Sequence, residues 1–157
     1  MKLKQLLLAI LMIVTVFSAC KTDTGPSADE QLAADEVRIK AFIEANDIPA
    51  IRHQSGLYYQ IIEPGTGNLV YNANTAITAE YNLRLLNGNA IPQPAGPINF
   101  SLGGVIIGWQ IGIPLIQKGG KIRLFVPSGY AYGTQSRDGI PANSVLDFDV
   151  VLVDAKN

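Results

Sequence analysis

The stretch that most limits what this chain can become is Ser101-Leu-Gly-Gly-Val-Ile-Ile-Gly-Trp109. It holds the only tryptophan, at the end of an apolar run set between glycines. Gly103 and Gly104 allow a tight turn where a Cβ would clash, and Gly108 lets another group approach the backbone beside the indole. Val105, Ile106 and Ile107 are branched, stiff and apolar. Such a run either vanishes into a core, the commoner fate of a lone tryptophan, or lines an oily pocket. A second stretch favours the pocket. Val126-Pro-Ser-Gly-Tyr-Ala-Tyr-Gly133 presents two tyrosines between glycines, in a turn rather than a strand.

The residues around these stretches read as strands. Leu57, Tyr59 and Ile61 alternate with Tyr58, Gln60 and Ile62 from Gly56 onward. Ile77, Ala79, Tyr81, Leu83 and Leu85 alternate with Thr78, Glu80, Asn82 and Arg84, which predicts a long half-buried strand. Asn87-Gly88 is a tight-turn signal. Three prolines between Ile91 and Pro97 argue against regular structure there. Short strands are expected at Ile98–Leu102 and Ile122–Val126, and a closing strand at Val145–Val153. In this half only Val105–Ile116 could be helical, and Pro114 should end that helix. Strands with antiparallel-style turns and one short helix indicate an α+β fold.

The chain begins differently. Lys2 and Lys4 precede an apolar run from Leu6 to Phe17, broken only by Thr15, and then Ser18, Ala19 and Cys20. The run is short for a membrane span, which needs about 20 residues. A basic start, an apolar middle and small residues before a break predict a secretory signal at residues 1–19. Phe17-Ser-Ala-Cys20 is similar to the bacterial lipobox, so Cys20 is the expected lipidation site and the membrane the expected partner at that point. Residues 20–27 read as a tether. Ser27 and Glu30 have capping-box spacing and predict a helix over Ala28–Ala45. Leu32, Asp35, Ile39, Phe42 and Ile43 share one face, with Asp35 the polar intruder. The segment 28–55 is therefore either a packing arm or a homodimerisation helix, ahead of a domain at 56–157.

Several chemistries have no residues to carry them. Formal net charge is -1, and losing Lys2 and Lys4 with the leader makes it more negative, so no nucleic-acid partner is expected. His53 is the only histidine and Cys20 the only cysteine. That argues against a zinc site, an internal disulfide and a Ser/His/Asp set. His53 reads as an ordinary surface residue. Asp147 and Asp149 flank Phe148 on one side of a strand; paired acids are conceivable there, but a solvated sheet face is the simpler reading. Aromatic residues beside glycines suit a neutral, apolar group, for which a proline ring is a good candidate.

From Gly56 onward the sequence resembles the FKBP-type peptidyl-prolyl cis-trans isomerases. The motifs are Val105-Ile-Ile-Gly-Trp109, Phe125-Val-Pro-Ser-Gly-Tyr-Ala-Tyr-Gly133, Ile140-Pro-Ala-Asn143 and Leu146-Asp-Phe-Asp-Val150. The tether, the helix and the Gly56-Leu-Tyr-Tyr strand resemble lipid-anchored bacterial envelope members. The resemblance implies a curved antiparallel β-sheet wrapped around one short helix, an N-terminal helical extension, no cofactor or metal, and prolyl-containing polypeptides as partners. It implies Trp109 as the pocket floor, and Tyr81, Phe100, Val105, Ile106 and Phe148 as its walls. Tyr132 would hydrogen-bond the substrate carbonyl, the Ile106 N–H would hold the chain beyond the proline, and Ile140 would belong to a flap. Tyr130 would be structural.

The family usually carries Phe-Asp after the strand and turn that correspond to Tyr81–Gly88. Here Ile91 and Pro92 stand there, and the Pro-rich segment that follows has no arginine to pair with such an aspartate. Two readings follow: a prolyl isomerase assisting folding in the envelope, or a lipoprotein that grips prolyl segments without turning them over.

Overall fold

The computed structural model describes residues 25–157, so the signal, Cys20 and most of the tether lie outside the described residues. Helix α1 (Ala28–Ala45) begins where the capping spacing placed it. The Ser27 hydroxyl accepts the Glu30 N–H at 3.3 Å, and the Glu30 carboxylate accepts the Ser27 N–H at 2.8 Å.

Strands β1 (Ile51–Arg52), β2 (Tyr58–Glu63), β3 (Ala76–Leu85), β4 (Ala90–Ile91), β5 (Ile98–Ser101), β6 (Lys121–Val126) and β7 (Leu146–Lys156) form one antiparallel sheet. Its order is β1-β2-β6-β7-β3-β4, with β5 on the first half of β3. The central ladder runs from Ala76 opposite Lys156 to Leu85 opposite Leu146. Irregular register at Thr78/Ala79 and at Ile61/Glu63 strengthens the local twist. Ala90–Ile91 belongs to the sheet, because Ile91 pairs with Leu83 before the first proline removes a donor. The irregular segment is thus shorter than the prolines suggested.

The sheet's inner face holds helix α2 (Ile107–Gly112), which lies against β6. A Cβ on Gly108 would stand 2.3 Å from Val126 Cγ1, and one on Gly112 would stand 2.5 Å from Leu124 Cδ2. The two glycines let the helix axis approach the strand. A 3-10 turn over Ile113–Leu115 then takes up Pro114 and ends the helix. Leu124, Phe148 and Leu83 lie abreast under this helix, followed by Ile122, Val150 and Tyr81.

Helix α1 covers the outer face. Ile39 and Ile43 pack on Tyr58, Phe125 and Val145, and the Phe42 and Phe125 rings lie 5.9 Å apart. Helix α1 thus packs on the sheet of its own chain, and Ile51–Arg52 beyond it joins that sheet as its edge strand.

Three expectations are corrected here. Asp147 is not on a solvated face: it is 1% exposed. Arg84 donates to its Oδ2 at 3.1 Å, and Arg123 donates to both its oxygens at 2.9 and 2.8 Å. Asp149 lies further out, 2.7 Å from Arg84. His53 is half-buried rather than open, and its Nδ1 accepts the Ser55 N–H at 3.2 Å, which closes the turn into β2. Gly103 does sit where a Cβ would meet Ala73 O, at 2.8 Å, but a Cβ on Gly104 would meet only the Ser101 Cβ, at 3.9 Å.

Among the described residues, no helix is long and apolar enough to cross a membrane. No group of three or more His, Cys, Asp or Glu among them is placed to hold a metal ion.

Candidate active site

Between α2 and the inner sheet face lies a cavity of about 700 Å³. Trp109 reaches it from the first turns of α2 and is 3% exposed. Three rings stand nearly edge-on or tilted around the indole: Tyr81 at 5.0 Å, Phe148 at 5.6 Å and Phe100 at 5.7 Å between centroids. Such edge-to-face packing sets the negative faces of some rings against the positive edges of others. Each ring comes from a different strand: β3 supplies Tyr81, β5 Phe100 and β7 Phe148. The alternation of each strand decides that the ring faces inward.

All eight candidate pocket residues, Tyr81, Phe100, Val105, Ile106, Trp109, Tyr132, Ile140 and Phe148, line this one cavity. Tyr132 comes from the loop that begins with a 3-10 turn at Ser128–Tyr130. Tyr130, two residues earlier, points away from it, and its hydroxyl donates to Ser55 O at 2.8 Å. Ile140 is 5% exposed and closes the loop by pairing with Arg137. The carbonyl of Ile106 accepts the N–H groups of Trp109 and Gln110, which starts α2. Cys20 lies outside the described residues.

The polar side chains that line this cavity are Tyr81, Gln93, Tyr132, Arg137 and Asp138. Burial pushes the Tyr81 phenol above its ordinary pKa, and the Tyr132 phenol beside it pushes further in the same direction. Tyr81 therefore keeps its proton at neutral pH and stays a donor. Trp109 Nε1 is buried with no hydrogen-bond partner among the described residues. An unpaired buried donor is unusual.

Sequence reasoning missed part of the lining. Ile91 and Pro92, which stand where the family usually has Phe-Asp, both line the cavity, so aliphatic groups take the place of that aromatic ring and acid. An arginine is present as well, from the opposite side: the Arg137 guanidinium lies 4.6 Å over the Tyr132 ring, in cation–π range. Asp138 is next to it in the lining. Nothing in the local pattern marks Arg137-Asp138 as pocket residues, because a charged pair before a glycine usually means an exposed turn.

A cavity of aromatic rings and aliphatic groups, with a polar edge at Gln93, Arg137 and Asp138, thus lies between a curved sheet and a short helix. A family model described as FKBP-type peptidyl-prolyl cis-trans isomerase matches residues 70–153. The chain belongs to the FKBP-type peptidyl-prolyl cis-trans isomerase family. It is 37% identical over 143 residues to the FKBP-type peptidyl-prolyl cis-trans isomerase FkpA of Buchnera aphidicola subsp. Schizaphis graminum, covering 89% of this chain and 56% of that one. With FkpA of Escherichia coli strain K12 the identity is 35% over 141 residues, covering 87% of this chain and 52% of that one. The chain thus spans little more than half the length of these relatives. The crystal structure of Escherichia coli FkpA superposes with a TM-score of 0.69 at 34% identity, covering 82% of this chain and 62% of that one. A peptidyl-prolyl cis-trans isomerase from Pseudomonas syringae pv. tomato superposes with a TM-score of 0.67 at 28% identity, covering 85% and 99%.

Proposed function

We propose that this chain is a peptidyl-prolyl cis-trans isomerase that assists protein folding in the bacterial envelope. The observation that carries the reading is the convergence of Trp109, its three surrounding rings, Ile106 and Tyr132 on one cavity. Rotation about an X-Pro bond must overcome a barrier of about 18–20 kcal/mol, because twisting the amide destroys its resonance. Both isomers of an X-Pro bond are populated, so only the rate needs help. The planar amide is more charge-separated than the twisted one. A water-poor cavity therefore disfavours the planar ground state relative to the twisted state. In this reading the prolyl ring rests on Trp109, the Tyr132 hydroxyl donates to a substrate carbonyl, and the Ile106 N–H donates to the chain beyond the proline. Ile140 forms part of the flap over the ring. No covalent step, metal or cofactor enters.

Location is part of the same proposal. The basic start, the apolar run and Phe17-Ser-Ala-Cys20 support export and lipidation at Cys20, with the protein held at the periplasmic side of the outer membrane. Mass spectrometry of the native N-terminus tests it: an unmodified Cys20 refutes the anchor. A homodimer through α1 is disfavoured, since the sheet already covers the face that carries Ile39 and Ile43.

The assay is isomerisation of a short peptide with an apolar residue before proline, with the chain lacking its leader. Acceleration is expected. The replacement of Phe-Asp by Ile91-Pro92 favours a second reading, a prolyl-binding chaperone. An unchanged rate with quenching of Trp109 fluorescence by the peptide would establish that second reading instead.

A further inference from the structure

The polar intruder on the apolar face of α1 is tied directly to the loop that carries Tyr132. Asp35 is 0% exposed, as is Ser128. Asp35 Oδ2 accepts the Ser128 N–H at 2.8 Å and the Ser128 hydroxyl at 2.6 Å. Its other oxygen accepts Gln31 Nε2 at 2.9 Å, and Arg38 reaches it at 3.5 Å. The carbonyl of Ser128 in turn accepts the N–H groups of Ala131, at 3.0 Å, and Gly133, at 2.8 Å. These last two bonds bracket Tyr132. A single serine is thus held on one side by α1 and on the other holds the backbone immediately before and after the tyrosine. Two further links tighten the same loop. Arg38 donates to Asn143 O at 3.4 Å, and the Asn143 N–H donates to Gly133 O at 2.7 Å.

A carboxylate buried on a helix face is costly unless its hydrogen bonds are made. Here four donors converge on it, and they come from two elements distant in sequence. A core position would be served better by leucine if packing were the only need. We propose that Asp35 is a positioning residue for the prolyl site: it fixes Ser128, and through Ser128 the place of the Tyr132 hydroxyl in the cavity. The proposal rests on the isomerase reading of that cavity. It makes α1, which lies outside the family match at 70–153, part of the working site.

The test is a double-mutant cycle between Asp35→Asn and Tyr132→Phe, on the chain lacking its leader, with each variant's folding followed by circular dichroism. An asparagine must turn its NH2 toward one of the two donor pairs, so it cannot hold both. Asp35→Asn should lower kcat/KM about threefold to tenfold, comparable with the loss of the Tyr132 hydroxyl itself. In the Tyr132→Phe background it should cost little more, because the two changes remove the same interaction. Equal losses in both backgrounds, or no loss in a folded Asp35→Asn chain, would overturn the proposal. If Asp35→Asn does not fold, Ser128→Ala, which deletes only the hydroxyl, carries the same cycle with the same criteria. If the unmutated chain gives no acceleration, the isomerase reading fails separately. The cycle is then read on affinity for a prolyl peptide through Trp109 fluorescence, where non-additive losses support the positioning role and additive ones sink it.

Discussion

Tyr132 and Trp109 line one cavity, and in the proposed site their roles differ, so their substitutions should separate accordingly. Tyr132→Phe removes one neutral hydrogen bond, so peptide isomerisation should slow about threefold to tenfold while the melting temperature holds. Trp109→Ala empties the centre of the ring cluster and should cost about 3–5 kcal/mol of stability as well as peptide binding. Negligible effects from both would mean that the site is elsewhere. Asp147 makes the opposite case, a residue whose value is wholly structural. Asp147→Ala removes the buried acceptor of Arg84 and Arg123, each about three-quarters buried, and leaves them only the more exposed Asp149. A loss of about 3 kcal/mol is expected, read from denaturant unfolding. Trp109 and Tyr132 stood out in the sequence beside their glycines, whereas Tyr81, Phe100 and Phe148 were named only through the family resemblance. Asp147 was misread because strand alternation tells which side a residue faces, not whether a helix covers that side. Asp35 showed the same limit: its helix face was legible, but its partner 93 residues away was not.

At the level of elements, the seat of α2 on β6 depends on missing side chains. Gly108→Ala gains about 1 kcal/mol of helix propensity, but its Cβ would stand 2.3 Å from a methyl of Val126, which is fully buried and stiff at χ1. Overpacking of this kind costs about 1–3 kcal/mol, so the net change should be destabilising, with Trp109 displaced and turnover reduced. Gly112→Ala meets the end of a leucine, which can turn aside, and should be milder; the reverse order in melting temperature would contradict this. The clip between α1 and β1 offers a pH test. Arg52 donates to both Glu36 oxygens at 2.7 Å, and this bond holds the Glu36 carboxyl below its ordinary value of 4.5. A lowered folded-state value means that the clip stabilises above pH 4.5 and is lost as pH falls below it. Glu36→Gln should therefore melt lower than the parent at neutral pH and converge with it in acid. Curves that stay parallel would show that the clip does not act through charge.

For the molecule as a whole, the two faces of the sheet divide the labour. The inner face makes the cavity, and the outer face carries α1. Removing residues 1–49 should expose Phe125, Tyr58 and Val145, and the shortened chain should bind a hydrophobic dye and lose its cooperative melt. The α+β class was legible from strand alternation, the Asn87-Gly88 turn and Pro114, while the curved sheet around one short helix was implied by the family resemblance. The docking of α1 was not legible, because a single amphipathic face reads the same whether it covers its own sheet or a second copy. The last strand shows what such two-sidedness does for folding. Asp147 sits among arginines and Phe148, its neighbour, sits against the indole. A slip of one position along β7 would drive a carboxylate into the greasy hollow and a phenyl ring in among the guanidinium groups. The wrong alignment thus carries its own penalty on both sides at once, and the newly made chain has a built-in reason to settle in the right one.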